Sequence, residues 1–166
     1  MQDYRVKLAT LPEECQGAAA LRRQVFCQEQ GLFADDDRDA IDAIALPIVA
    51  LDEAGVVVGT VRIHSSEPGL WWGSRLCVHP DHRRAGPLGA ALIRLAVSTA
   101  HARGSTRFLA HVQRRNVVLF RRLHWQSQGE VLLHDHPHHL MQADLDFYPP
   151  DTAGEEGFIV AGRLVA

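Results

Sequence analysis

The chain has 166 residues, of which 46% are hydrophobic and 22% charged, with a formal net charge of -3. This balance suits one folded domain with a real core and excludes a disordered chain; with a single dense basic cluster, His82-Arg83-Arg84, it also argues against a general nucleic-acid binder. Cys15, Cys27 and Cys77 stand far apart with no CxxC pair, which predicts neither a disulfide framework nor a cysteine metal site and fits a reducing cytoplasm. The opening MQDYRVKLATLPEE lacks the basic-then-apolar order of a secretory leader, and no apolar run approaches the roughly 20 residues of a membrane span, so no membrane partner is expected.

Tyr4 to Ala9 alternates apolar and polar residues and reads as a strand. Thr10 and Glu13 have capping-box spacing, and Ala18, Leu21 and Val25 recur at helical intervals, which predicts a helix to about Gln30 with Gly31 as its C-terminal cap. An acidic stretch follows, Asp35 to Asp42, read as a solvated loop because it lacks the glycine and terminal Glu of a calcium-binding loop. Leu46 to Leu51 and Val56 to His64 form a hairpin around Asp52-Glu53-Ala54-Gly55, and Leu70 to Val78 is the next strand. In that strand Trp71 and Trp72 point to opposite faces, one to the core and the other toward a substrate side.

Leu88, Leu92, Leu95, Ala96 and Thr99 share a helical face, Gly104 ends that helix, and Arg107 to Val112 is a strand. Asn116 to Leu123 reads as a short amphipathic helix, and Gln126 to Leu133 with Leu140 to Asp146 as a closing antiparallel pair. The order β-α-β-β-β-α-β-α-β-β predicts an α/β (α+β) fold, a mixed sheet flanked by helices, over residues 1–147. Residues 148–166 open with Pro149-Pro150-Asp151 and read as a tail or linker, although Phe158 to Val160 is apolar enough to dock.

The segment LCVHPDHRRAGPLGAALI, Leu76 to Ile93, runs from an apolar strand through a His-Pro turn, two arginines and glycines into an amphipathic helix. Backbone N–H groups at a helix start, approached closely through glycine, can hold a pyrophosphate, and flanking arginines add charge-assisted hydrogen bonds.

At this segment the sequence resembles the GNAT acyltransferase superfamily, whose Q/R-x-x-G-x-G/A signature joins the fourth strand to the next helix. LRRQVFCQEQGLF (Leu21 to Phe33) is similar to the V-F-x-x-E-Q-G first-helix pattern of one branch, FRRLHW (Phe120 to Trp125) to its Y-x-x-L-G-F, and Pro137-His138-His139-Leu140-Met141 to its closing P-H-x-x-M. The resemblance covers roughly Tyr4 to Asp146. It implies acetyl-CoA as co-substrate, with no metal, and a donor site built from Cys77, Val78, Arg83, Arg84, Ala85, Gly86, Leu88, Gly89, Ala90, Asn116 and Phe120. The loop is one residue longer than the usual one. Either it bulges, or Arg84 takes the first motif place and Pro87 replaces the first glycine; Gly89 stays near the helix start in both readings.

The resemblance further implies direct attack of a small-molecule primary amine on the thioester, with a backbone N–H near Cys77 or Val78 polarising the carbonyl. Only about 0.1% of an alkylamine is neutral at pH 7, so a base is needed. Glu29 is the first candidate, with His64, Arg75 and His111 on strands facing the same cleft; the thiol of Cys77 reads better as a small buried hydrophobe than as a nucleophile. Phe120 stands where many relatives carry a proton-donating Tyr, and a phenyl ring donates none. His134, His136, His138 and His139 have no helical H-x-x-x-H spacing or cysteine set beside them, so no metal is expected there. Two alternatives remain: a noncatalytic CoA-binding or interaction module, and transfer of a longer acyl chain, as in homoserine-lactone-synthase-like reactions. Exposed edges of the closing strands make a homodimer an expectation as well.

Overall fold

A computed structural model of the chain describes residues 2–83 and 88–162. Its strands are β1 (Asp3–Leu8), β2 (Leu46–Leu51), β3 (Val57–Glu67), β4 (Leu70–Val78), β5 (Arg107–Gln113), β6 (Trp125–Leu133), β7 (His136–Ala143) and β8 (Phe158–Ala161). Its α-helices are α1 (Pro12–Arg22), α2 (Leu88–Ala102) and α3 (Val117–Arg122). The strands form one eight-stranded sheet in the order β6-β7-β5-β4-β3-β2-β1-β8. Every pairing is antiparallel except β4 with β5, which α2 connects as a crossover.

The expected architecture, a mixed sheet flanked by helices, is present. One sheet face packs α2 and α3 into the main core, where Leu88, Leu92, Leu95 and Val97 meet Ile48, Ile63, Phe108 and Met141. On the other face α1 and its continuation set Leu21, Val25 and Phe26 against Cys77. Trp71 packs on the main core, while Trp72 turns to the opposite face and stacks on His111.

Several boundaries differ from the sequence reading for identifiable reasons. The first helix ends as expected beside Gly31, which holds φ +65°, but Arg23–Glu29 is wound as a π-helix, with Gln30 N–H reaching Val25 O. Glu14 rather than Glu13 closes its start: its carboxylate accepts from the N–H groups of Thr10 and Leu11 and from Lys7 Nζ. Strand β7 begins at His136, four residues before the expected Leu140, because His134 and Asp135, at φ 50° and 61°, make a tight two-residue turn that the histidine-rich composition hid.

The acidic stretch is a solvated loop only in part: Asp35 and Asp36 are exposed, whereas the later acids are paired. Asp37 is 1% exposed and binds Arg22 and Arg75, Asp39 binds Arg62, and Asp42 binds Arg22 and Arg62. The spacing of acids was visible, but their partners lie on α1, β3 and β4, and sequence alone does not bring those together.

The tail is not free linker throughout. Tyr148 is buried, and its hydroxyl accepts from Trp125 Nε1 at 3.2 Å. Asp151 N–H bonds Ser98 O, Leu8 N–H bonds Gly154 O, and β8 pairs with β1, placing Phe158 under Arg94 with the guanidinium 4.2 Å from its ring. The apolar run at Phe158 therefore docks and completes the sheet edge.

Candidate active site

Strands β4 and β5 pair only over Leu70–Trp72 against Arg107–Leu109, whereas β4 continues to Val78 and β5 to Gln113. Beyond Trp72 and Leu109 the two strands part, and among the described residues no strand pairs with either facing edge, which leaves backbone groups there for another partner. The outer edges of both strands are occupied, β4 by β3 and β5 by β7. The parted ends lie at the carboxyl end of the parallel pair, the end from which α2 starts.

A bulge shapes β4 at this place. Thr60 opposes Cys77 and Arg62 opposes Ser74, so Arg75 and Leu76 together face Val61. Arg75 takes the left-handed backbone, φ 56°, and sends its guanidinium to Asp37 and over the Phe33 ring, 4.6 Å from the centroid.

Ladder alternation decides which backbone groups reach the opening. His79 N–H bonds Val58 O, so His79 and Val58 are a hydrogen-bonded pair, and so in turn are Cys77 and Thr60. Val78 between them directs its N–H and C=O away from β3, toward the parted edge. Its carbonyl accepts from Arg83 Nε at 2.9 Å. Of the two backbone donors expected, Cys77 or Val78, Val78 is the one that faces the opening.

The remaining site residues separate into distinct environments. The Cys77 side chain is 6% exposed among Leu21, Val25 and Phe26, and burial pushes its thiol up to about 12, which disfavours the thiolate a nucleophile needs and fits a small core side chain. Glu29 ends the π-helix and meets Arg83 in a bidentate pair at 2.6 and 2.7 Å. Hydrogen bonds from Arg83 outweigh partial burial and hold its carboxyl below the usual range, which suits a fixed anion better than a base. Arg83 is thereby committed to Glu29 and Val78.

Leu88 is 1% exposed and belongs to the core, so its side chain faces no ligand, whereas Gly89 and Ala90 are half-buried in the first turn of α2. Among the described residues, a Cβ at Gly89 would meet no atom within 4 Å. Asn116 precedes α3 half-exposed, and Phe120 is buried edge-on against Trp125. Arg84, Ala85 and Gly86 lie outside the described residues.

On the face opposite the main core, His64 stands across the ladder from Trp72, and His138 across from Gln113. His111 stacks on Trp72 with centroids 5.2 Å apart and planes at 28°. Burial, helped by the His138 ring, pushes His111 below the ordinary histidine value; burial and Arg62 do the same for His64, whose Nδ1 has no hydrogen-bond partner. Residues 30–33 cross over this face: Gln113 Nε2 donates to Gln30 Oε1 at 3.1 Å, and Phe33 packs on His134 with centroids 4.9 Å apart. This ring-lined face was not recognised as a unit from sequence; alternation along β4 and β5 does place Trp72 and His111 on one side. Among the described residues no group of three or more His, Cys, Asp or Glu is placed to hold a metal ion.

Known proteins share this fold. The sequence pattern of the Acetyltransferase (GNAT) family matches residues 11–125. The chain is 27% identical over 140 residues to the Bacillus subtilis (strain 168) protein described as uncharacterized N-acetyltransferase YjcF, spanning 82% of this chain and 97% of that one. An acyl-CoA N-acyltransferase from Pseudomonas aeruginosa superposes with a TM-score of 0.67 at 19% identity, over 85% of this chain and 99% of that one. BjaI, a CoA-dependent acyl-homoserine lactone synthase solved with SAM and isopentyl-CoA, superposes with a TM-score of 0.72 at 17% identity, over 86% and 83%.

Proposed function

Because this chain belongs to the acetyltransferase (GNAT) family, an enzyme family of acyl transfer from CoA-derived donors, we propose that it moves an acetyl group from acetyl-CoA to a primary amine of a small molecule by direct attack. The observation that carries this reading is the parting of β4 and β5 beside the outward-facing Val78 N–H. An extended thioester arm entering between the strands can take up the free backbone groups as a strand would, and its carbonyl oxygen finds a fixed donor where charge develops.

The start of α2 at Gly89 and Ala90 supplies N–H groups for the donor's phosphates. The amine nitrogen forms its bond to the acyl carbon, the carbon–sulfur bond breaks, and CoA leaves as a thiolate. His111 is the group proposed to take the amine proton. Its strand borders the opening, and the partial burial that lowers its basicity favours the neutral form able to take a proton. Glu29, held by Arg83, serves to fix the end of the first helix against the loop. Phe120 offers no proton, so the thiolate leaves unassisted or draws its proton from water.

A second reading, transfer of a longer acyl chain, is favoured by the likeness to BjaI, a protein solved with isopentyl-CoA. Thiol release from acetyl-CoA, isopentyl-CoA and octanoyl-CoA across a panel of amines tests both. Preference for acetyl-CoA supports the first reading, preference for a longer donor the second, and no amine-dependent release from any donor overturns both.

A further inference from the structure

We infer that the acceptor is an aromatic amine, with the amino group borne directly on a planar ring, rather than an alkylamine or polyamine; this inference rests on the reading above. Three independent observations lead there.

First, the side of the opening away from the main core is walled by rings. Trp72 and His111 are stacked, His64 faces Trp72 across the ladder, and Phe33 with His134 closes the rim. Of these rings, half-buried Trp72 and exposed His111 and His134 are accessible, and flat accessible rings bind another flat ring by offset stacking.

Second, the carboxylates packed beneath this face are already used, and Asp35, Asp36 and Asp135 at its margin are exposed to solvent, where their charge is screened. Asp37, Asp39 and Asp42 are tied to Arg22, Arg62 and Arg75, and Glu29 to Arg83. Among the described residues, no hydrogen bond or ion pair joins Trp72, His64, His111, His134 or His138 to a carboxylate. An ammonium group would lose its hydration here without gaining a counter-charge.

Third, the side chains supply only weak bases. An alkylamine arrives protonated and must lose a proton before it attacks. In an aromatic amine the lone pair is delocalised into the ring, so the nitrogen is uncharged at neutral pH. It attacks as it is, and the proton lost from nitrogen after bond formation is acidic enough for a neutral imidazole, that of His111, to take. The products are the N-acyl aromatic amine and CoA thiol. The buried Nδ1 of His64, unpartnered in this structure, marks the same wall as one that another molecule completes.

The test uses the full chain, a donor shown by calorimetry to bind, and three acceptors: aniline, benzylamine and spermidine. Benzylamine keeps the ring but moves the nitrogen onto an alkyl carbon. The expected result is thiol release at pH 7 with aniline at least about tenfold faster, in kcat/KM, than with either alkylamine. Trp72→Ala should raise the KM for aniline about tenfold, the size of one lost stacking contact, and leave donor affinity unchanged. Faster turnover of benzylamine or spermidine, or no turnover of aniline by a protein that binds the donor, overturns the inference while the acyl-transfer reading stands. Failure of every donor to bind overturns that reading itself.

Discussion

Arg75 and Asp37 are joined twice: Arg75 Nε donates to Asp37 Oδ2 at 3.0 Å and Arg75 Nη2 to the Asp37 carbonyl at 2.9 Å. Arg75 is the bulged residue of β4, and Asp37, 1% exposed, also binds Arg22 of α1 at 2.7 Å. One buried carboxylate therefore fixes the bulge beside the opening to the helix above it. Asp37→Ala leaves two largely buried guanidinium groups short of a partner, which costs about 3–5 kcal/mol. Urea unfolding should show that loss, and a change under about 1 kcal/mol would mean that the network does not hold the bulge.

The same network sets a pH dependence. Hydrogen bonds from Arg62 outweigh burial at Asp39, and at Asp42 burial, which opposes ionisation, is overcome by hydrogen bonds from Arg22, so both carboxyls sit below their ordinary value. Groups with a depressed folded-state pKa stabilise fully above the unfolded value, about 3.9, and lose that contribution as pH falls through the folded value. The carboxylate contribution to the melting temperature should thus hold level from pH 7 to about 5 and decline below about 4, while the lowered His64 and His111 add a separate loss that begins as pH falls below about 6.5. Asp42→Asn should flatten the acid decline; an equally steep decline would assign it to other carboxylates.

His111 and Glu29 separate in their effects on turnover. His111→Ala should lower kcat by about a hundredfold with donor affinity intact, the low end of what a positioned base contributes. Glu29→Gln, which keeps the shape but loses the ion pair with Arg83, should change kcat by less than about threefold, since exposed pairs contribute little. Steady-state kinetics of both variants at saturating amine settles the order. A larger fall for Glu29→Gln would make Glu29 the base.

Gly89→Asp separates folding from binding. An Asp Cβ there meets none of the described residues, and a negative charge in the first turn of a helix is favourable, so thermal stability should be unchanged or slightly higher. Set against the phosphates of the donor, the same charge should weaken binding by more than the ~1.4 kcal/mol that makes a tenfold change. Unchanged affinity would remove the start of α2 from the donor site.

Much of this arrangement was legible in the chain because it is local. The strand Leu70 to Val78, the helix from Leu88 and the hairpin at Asp52 to Gly55 follow from periodicity and turn residues a few positions apart. What escaped depends on distant partners. Asp37 looks solvated until Arg22 and Arg75 arrive from two other elements, and Glu29 looks like a free base until Arg83, 54 residues away, claims it. The start of β7 escaped because three histidines and a proline carry little strand signal, though pairing with β5 and β6 fixes them in the sheet.

The most direct test of the central claim is calorimetric titration of the whole chain with acetyl-CoA, compared with CoA and octanoyl-CoA, at pH 7. Binding in the micromolar range, about -8 kcal/mol, with acetyl-CoA preferred over octanoyl-CoA, is the result expected if the opening between β4 and β5 takes a short acyl thioester. Heat indistinguishable from dilution for all three ligands would contradict the account, because the proposed chemistry passes through that one opening.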